Sequence, residues 1–199
     1  MTEYAITPDF RASWPKVFTP EKNDLNGKME YTVDALFPKG TDLTPLKKLA
    51  ERAALEKFPH GLPANFRSPF RDGSEKVQKD KNTGQVLMGP DGLPQLQPGF
   101  ERGATFIKLK TEQRPGIVGP DNVVIIDAAQ VYGGCWLRAQ VHCYAYSQKG
   151  NSGVSFGLDN IQKLRDDEPL SGRVKAENAF QPVAQPGAST PASGASIFG

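Results

Sequence analysis

Cysteine and histidine are scarce in this chain, with two of each among 199 residues. Two cysteines cannot make the disulfide framework of a small secreted domain. Cys135 and Cys143 share one face of a proposed strand, roughly 26 Å apart at about 3.3 Å per residue and out of disulfide reach. With His60 and His142 as the only imidazoles, a Cys/His zinc site lacks ligands at suitable spacing. No metal and no cofactor is therefore expected, and both cysteines read as core residues. No apolar run approaches the roughly 20 residues that cross a bilayer. The N-terminal stretch also lacks the basic start and apolar middle of a signal peptide. The expected setting is a reducing cytoplasm, with no membrane partner.

Catalytic patterns are thin as well. There is no phosphate loop of the G-x-x-x-x-G-K-[ST] kind. The two histidines lie in unlike contexts, which argues against a Ser-His-Asp arrangement. Asp121, Asp127, Asp159, Asp166, Asp167 and Glu168 could hold catalytic metal ions only by converging, and most sit in turn-like or solvent-facing contexts. No catalytic residue is expected. Internal repeats and heptads are absent too.

Charge is nearly balanced, +2 net from 24 Lys and Arg against 22 Asp and Glu. Such a total neither requires nor forbids a nucleic-acid partner; the layout decides. Mean hydropathy of −0.48 describes a loop-rich protein.

Against these absences stands one long alternation, from Tyr132 to Tyr146. Cys135, Leu137, Ala139, Val141, Cys143 and Ala145 are small or apolar. Trp136, Arg138, Gln140, His142, Tyr144 and Tyr146 between them are aromatic, basic or polar. Side chains alternate faces along a strand, so this reads as one long strand with a core face and a ring-bearing face. The second face is either a barrel exterior or a platform on which bases stack. The stretch ATFIKLKT repeats the pattern, with Thr105, Ile107 and Leu109 on one side and Phe106, Lys108 and Lys110 on the other.

Residues 12–37 read as a hairpin around Asn26-Gly27, with Pro15 marking an edge or a bulge in its first strand. Trp14 beside Lys16 is either core or platform. After Pro38-Lys39-Gly40 a helix is expected from Thr44, as N-cap, and Pro45 to about Phe58. Its apolar stripe is Leu46, Leu49, Ala50 and Ala53. From Leu62 to Gly103 regular signals fade into a long Gly- and Pro-rich insertion, and a connection of that length is usually functional or mobile. Its first half gathers Phe66, Arg67, Phe70, Arg71, Lys76, Lys79 and Lys81. Residues 123–126, VVII, read as a short buried segment. GVSFGLDNIQKLR begins extended and is expected to end in a short helix.

These signals add up to a mainly β chain: an OB-type barrel of about five strands with one helix, a long inserted loop and a flexible C-terminal tail. The barrel domain is expected over residues 1–180 and an uncharged Pro/Ala/Gly/Ser-rich tail over 181–199. Such a barrel binds single strands by stacking bases on rings while Lys and Arg meet the phosphates. The DNA-binding residues expected on this reading are Trp136, Arg138, Tyr144, Tyr146, Phe106, Lys108, Lys110, Phe66, Arg67, Phe70, Arg71, Lys76, Trp14 and Lys39. A virion or assembly protein without DNA affinity is the alternative. A nuclease depending on Asp127 is a third reading.

RASWPKVFTP, LFPKG, SPFRDGSEK, FIKLKTEQRPGIVG, YGGCWLRAQVHCYAY and GVSFGLDNIQKLRDDEPLSGR occur in that order. Together they resemble a phage family of single-stranded-DNA-binding proteins over about residues 10–175. The resemblance implies an OB fold and sequence-independent binding of single-stranded DNA in phage replication, recombination or repair. It implies a viral protein in the host cytoplasm, with phage replication or recombination proteins as candidate partners. Duplex DNA binding and self-association stay open. One departure from such proteins is that no acid follows Glu177 in this sequence, so recruitment of partner enzymes by an acidic tip is not expected, although Phe198 could still dock as a hydrophobic tip.

Overall fold

The computed structural model describes residues 3–24, 26–148 and 150–170. Among them the strands are β1 (Tyr4–Ile6), β2 (Phe10–Lys22), β3 (Met29–Phe37), β4 (Phe66–Arg67), β5 (Arg71–Asp72), β6 (Thr105–Thr111), β7 (Gly116–Val118), β8 (Trp136–Gln148) and β9 (Asn151–Arg165). Helix α1 (Thr44–Lys57) lies between β3 and β4. Two short 3-10 turns occupy Gly73–Glu75 and Ala128–Gln130.

Five strands close a ring. β2 pairs with β3, β3 with β6, β6 with β9, β9 with β8, and β8 returns to β2. Every pairing in the ring is antiparallel except β6–β9. Numbered along the ring strands alone, the order is 1-2-3-5-4, so the expected OB-type barrel is present. The remaining strands are short additions: β1 on β8, β4 and β7 on β9, and β5 on β6.

The barrel closes because each strand offers an apolar row inward. Val33, Ala35 and Phe37 of β3 meet Ile107 and Leu109 of β6, Leu137, Ala139 and Val141 of β8, and Phe156 and Leu158 of β9. Phe10 and Phe37 pack edge to face at 5.7 Å. Burying each such side chain contributes about 1.5–3 kcal/mol. Leu46, Leu49, Ala50 and Ala54 bring α1 onto the same core, and Pro45 sits in its first turn. Thr44 is not the cap: Leu43 holds that position, and the Thr44 N–H donates to Asp42 Oδ1 at 2.9 Å. Hydrogen bonding from the Thr44 side chain, and then from that N–H, holds the Asp42 carboxyl below the usual carboxylate range. No helix of the described residues is long and apolar enough to cross a membrane.

Cys135 is buried, Cys143 half-buried, and both are free thiols. Burial pushes the Cys143 thiol up to about 12. Pro15 marks a bulge as expected, because the β2–β3 register shifts between Ser13 and Lys16. Trp14 at its centre has φ +47°, a conformation rare for a bulky side chain, and is 61% exposed.

Two further local expectations fail. The segment 123–126 is not buried: Val123, Val124 and Ile126 are exposed, and Ile125 alone turns inward. Alternation along an extended segment sets Val124 and Ile126 opposite Ile125, while Val123 is exposed next to the turn at 120–122. The stretch ending at Arg165 is extended throughout, with no helix, because β8 pairs with it along nearly its whole length. The insertion after Leu62 folds on itself through bridges Val77–Leu96, Lys79–Val86 and Met88–Pro94. The tail expected over 181–199 lies outside the described residues.

Candidate nucleic-acid interface

The barrel's outer wall is set by register. On β3 and β6, Thr32 faces Lys110, Asp34 faces Lys108 and Leu36 faces Phe106. β2 adds Lys16 beside Thr32, Ser13 beside Asp34 and Arg11 beside Leu36. β6 and β9 set Lys110 beside Gly157, which β8 sets beside His142.

The folded insertion covers one end of this wall. Phe100 packs edge to face on Phe106 at 5.1 Å, with Leu36, Leu96 and Leu170 around them. Lys76 Nζ stands 5.1 Å from the Phe106 ring centre, and the Arg71 guanidinium lies over it at 4.9 Å. Phe106 is therefore 1% exposed and is not the stacking ring that its alternation with Lys108 and Lys110 suggests. Alternation tells two faces apart, but not which face a distant loop will cover.

The other end stays open as a groove of ≈ 820 Å³. Lys108 and Lys110 form one side, and Tyr146 and Ser155 rise from the β8–β9 end. The loop bearing Arg67, Phe70, Arg71 and Glu75 forms a rim, while Glu21, Lys22 and Asn23 approach from the β2–β3 turn. This is the second-and-third-strand face of an OB barrel, between the two loops that such barrels use for oligonucleotides. Phe70 is half-buried, with its ring edge-to-face on Phe156 at 5.8 Å.

Six expected residues thus come together here: Arg67, Phe70, Arg71, Lys108, Lys110 and Tyr146. Tyr144, 38% exposed, continues the ring ladder of β8, 6.1 Å from His142, which meets Tyr4 at 6.0 Å. The others lie elsewhere. Trp136 lines a smaller pocket of ≈ 230 Å³ with Arg11, Phe100 and Asp167. Its indole N–H donates to Asp167 Oδ2 at 2.7 Å, and the Arg165 guanidinium stacks on the ring at 4.3 Å. That bond, foremost, holds the Asp167 carboxyl below its usual range. Arg138 donates to Gln162 at 2.8 Å, beside Ile6 and Val118. Phe66 packs against Phe58 near the end of α1, at 6.1 Å. Lys76 is drawn to Asp34, Lys39 lies beyond Phe100 next to Arg102, and Trp14 stands out on its bulge.

Several lining residues were not anticipated. Glu30 and Thr32 alternate with the core residues of β3, and what brings them near Lys110 is the pairing of β3 with β6, which lies far along the chain. Burial alone would raise the Glu30 carboxyl; hydrogen bonds from Asn26 and Asn23, with Lys110 nearby, outweigh it and hold it low. On β9, Gly153, Ser155 and Gly157 alternate with Val154 and Phe156, so that small residues floor the wall. A Cβ on Gly157 would lie 2.2 Å from the His142 ring, and one on Gly153 would lie 2.5 Å from the Arg67 carbonyl and 2.9 Å from the Tyr146 hydroxyl. The period-two run of small residues was the signal available in the sequence.

Residues 153–157 also spell G-x-S-x-G, the pattern of a hydrolase nucleophile elbow. Here they run along an extended strand rather than a strand-to-helix turn. His142 Nδ1 is 2.7 Å from Asp159 Oδ2, but no hydrogen bond among the described residues joins Ser155 to His142. Nor does any group of three or more His, Cys, Asp or Glu among them converge as metal ligands.

Residues 3–189 match the family described as Enterobacter phage Enc34, ssDNA-binding protein. A curated relative, putative protein p50 of Acyrthosiphon pisum secondary endosymbiont phage 1, is 24% identical over 170 residues, 81% of this chain and 83% of its own length. Among solved structures, the C-terminal truncation of the bacteriophage Enc34 single-stranded DNA-binding protein superposes with a TM-score of 0.63 at 24% identity, covering 83% of this chain and 87% of that one. The Enc34 protein in complex with ssDNA gives 0.61 at 22% identity, covering 83% and 88%.

Proposed function

The chain belongs to the Enc34 ssDNA-binding protein family of phages, and from that premise we propose that it binds single-stranded DNA in the groove between β3, β6 and the β8–β9 end. One observation carries the location: Arg67, Arg71, Lys108, Lys110 and Tyr146, from three separated parts of the chain, line a single groove. Its position on the barrel agrees with the face that OB folds offer to oligonucleotides.

The cations meet phosphates, and Tyr146, with Tyr144 beyond it, offers ring faces to bases. Stacking accepts any base, so binding is independent of sequence. The role is non-catalytic coating and protection of exposed strands during phage DNA replication, recombination and repair in the host cytoplasm. Phage replication and recombination proteins are the partners this role implies.

Fluorescence anisotropy of labelled oligo(dT) tests the reading. Affinity should fall with salt and vary little between oligo(dT) and mixed sequences. Absence of binding at low salt would end it.

A further inference from the structure

The groove's cations are largely neutralised by the protein's own acids. Arg71 pairs with Glu75, Lys110 lies 3.5 Å from Glu30, and Lys108 lies 3.9 Å from Asp34. Of the five groove cations, only Lys22 and Arg67 have no carboxylate partner among the described residues. These carboxylates differ in kind. Glu30 and Asp34 are buried and fixed, whereas Glu75 sits half-exposed at the rim.

Glu75 is nonetheless held. Its Oε1 accepts the Asp72 N–H at 3.2 Å in a capping box that starts the 3-10 turn. Its other oxygen, Oε2, accepts from Arg71 Nε at 2.9 Å and Nη2 at 2.7 Å. The guanidinium itself is braced over Phe106. Carboxylate and phosphate use the same fork of arginine donors, so whatever occupies that fork competes with a strand. An ion pair between two half-exposed side chains is weak enough to be displaced.

Resting on the DNA-binding reading above, we infer that Glu75 is a phosphate stand-in: it occupies the Arg71 fork in the free protein, and an incoming phosphodiester displaces it. The freed carboxylate stays beside the strand, tied by its backbone bond, and opposes it. Glu75 therefore lowers affinity and flattens the salt dependence, because part of the cation released from DNA is retained near the uncovered acid. It acts on DNA through Arg71 and is a positioning residue.

Glu75→Gln tests this, since the amide oxygen can still accept the Asp72 N–H. Oligo(dT) affinity at low salt should rise several-fold, and the plot of log affinity against log salt should steepen. Adding Arg71→Ala should abolish the gain. Glu56→Gln on the solvent face of α1, an equal change in net charge, should leave affinity unchanged. A Glu75→Gln protein that binds no tighter than wild type, or whose gain survives Arg71→Ala, overturns the inference. Wild-type protein that does not bind oligo(dT) at all would instead refute the functional reading on which it rests.

Discussion

Lys76 and Asp34 are 42 positions apart in the chain, and their charged groups meet at 2.9 Å on the barrel wall. Asp34 is 4% exposed, and its Oδ1 has no hydrogen-bond partner, with Lys108 3.9 Å away. A buried carboxylate depends on its cation, and this cation belongs to the insertion. Lys76 also lies 5.4 Å from the Phe100 ring centre, so one side chain ties the insertion to the wall by charge and by ring contact.

Replacing Lys76 with Met strands that carboxylate. Destabilisation of roughly 2–4 kcal/mol is expected, somewhat less than a fully orphaned charge because Lys108 remains. Urea unfolding measures it. The double variant Lys76→Met/Asp34→Asn should recover most of the loss; equal midpoints for wild type and the single variant would show that the pair is dispensable.

Gly157→Ala pushes against the His142 ring, which must leave its place beside Asp159. Oligo(dT) affinity and the urea midpoint should both fall while the far-ultraviolet spectrum stays that of the folded barrel. Shortening the obstruction with His142→Ala should restore the stability of Gly157→Ala. If Gly157→Ala binds DNA as wild type does, the flat floor of β9 has no part in recognition.

Salt titration separates phosphate contacts from packing. Each of Arg67→Ala and Lys110→Ala should weaken oligo(dT) binding and reduce the salt slope by about 0.7 per lost contact on a single strand. Lys39→Ala, beyond the covered end of the wall, should change the slope less. Equal losses for all three would point to general electrostatic attraction rather than the groove.

Acid should weaken the fold through Glu30 and Asp167. Both carboxyls are held low in the folded protein, so their contribution is full above their unfolded values of about 4 and is lost as pH falls through the folded values. Urea midpoints should therefore drop progressively below about pH 4, and Glu30→Gln should make that drop shallower. An unaltered acid limb in Glu30→Gln would remove Glu30 from the account.

Local periodicity carried much of the architecture. The alternation from Cys135 to Tyr146 was enough to assign β8, and the Leu46–Leu49–Ala50 stripe to assign α1. The chain-wise order of strands, helix and insertion suggested the barrel. What stayed hidden depended on contacts across long sequence separations. Phe106 reads as exposed until Phe100 arrives over it, and Lys76 reads as a free groove cation until Asp34 claims it. Trp136 has the right alternation, but Asp167 and Arg165 hold it in a separate pocket. The small-residue floor went unread, although Gly153, Ser155 and Gly157 stand at period two in the sequence.

The last of the ring strands has a consequence for how the protein is made. β9 pairs with β4, β6, β7 and β8, so it seals both open sides of everything synthesised before it. Until residue 165 has left the ribosome, β6 and β8 each carry an unsatisfied edge able to template pairing with another chain. Translation stalled between Gln148 and Arg165 would leave a nearly complete product that is still sticky. The ring closes with its final strand, not gradually.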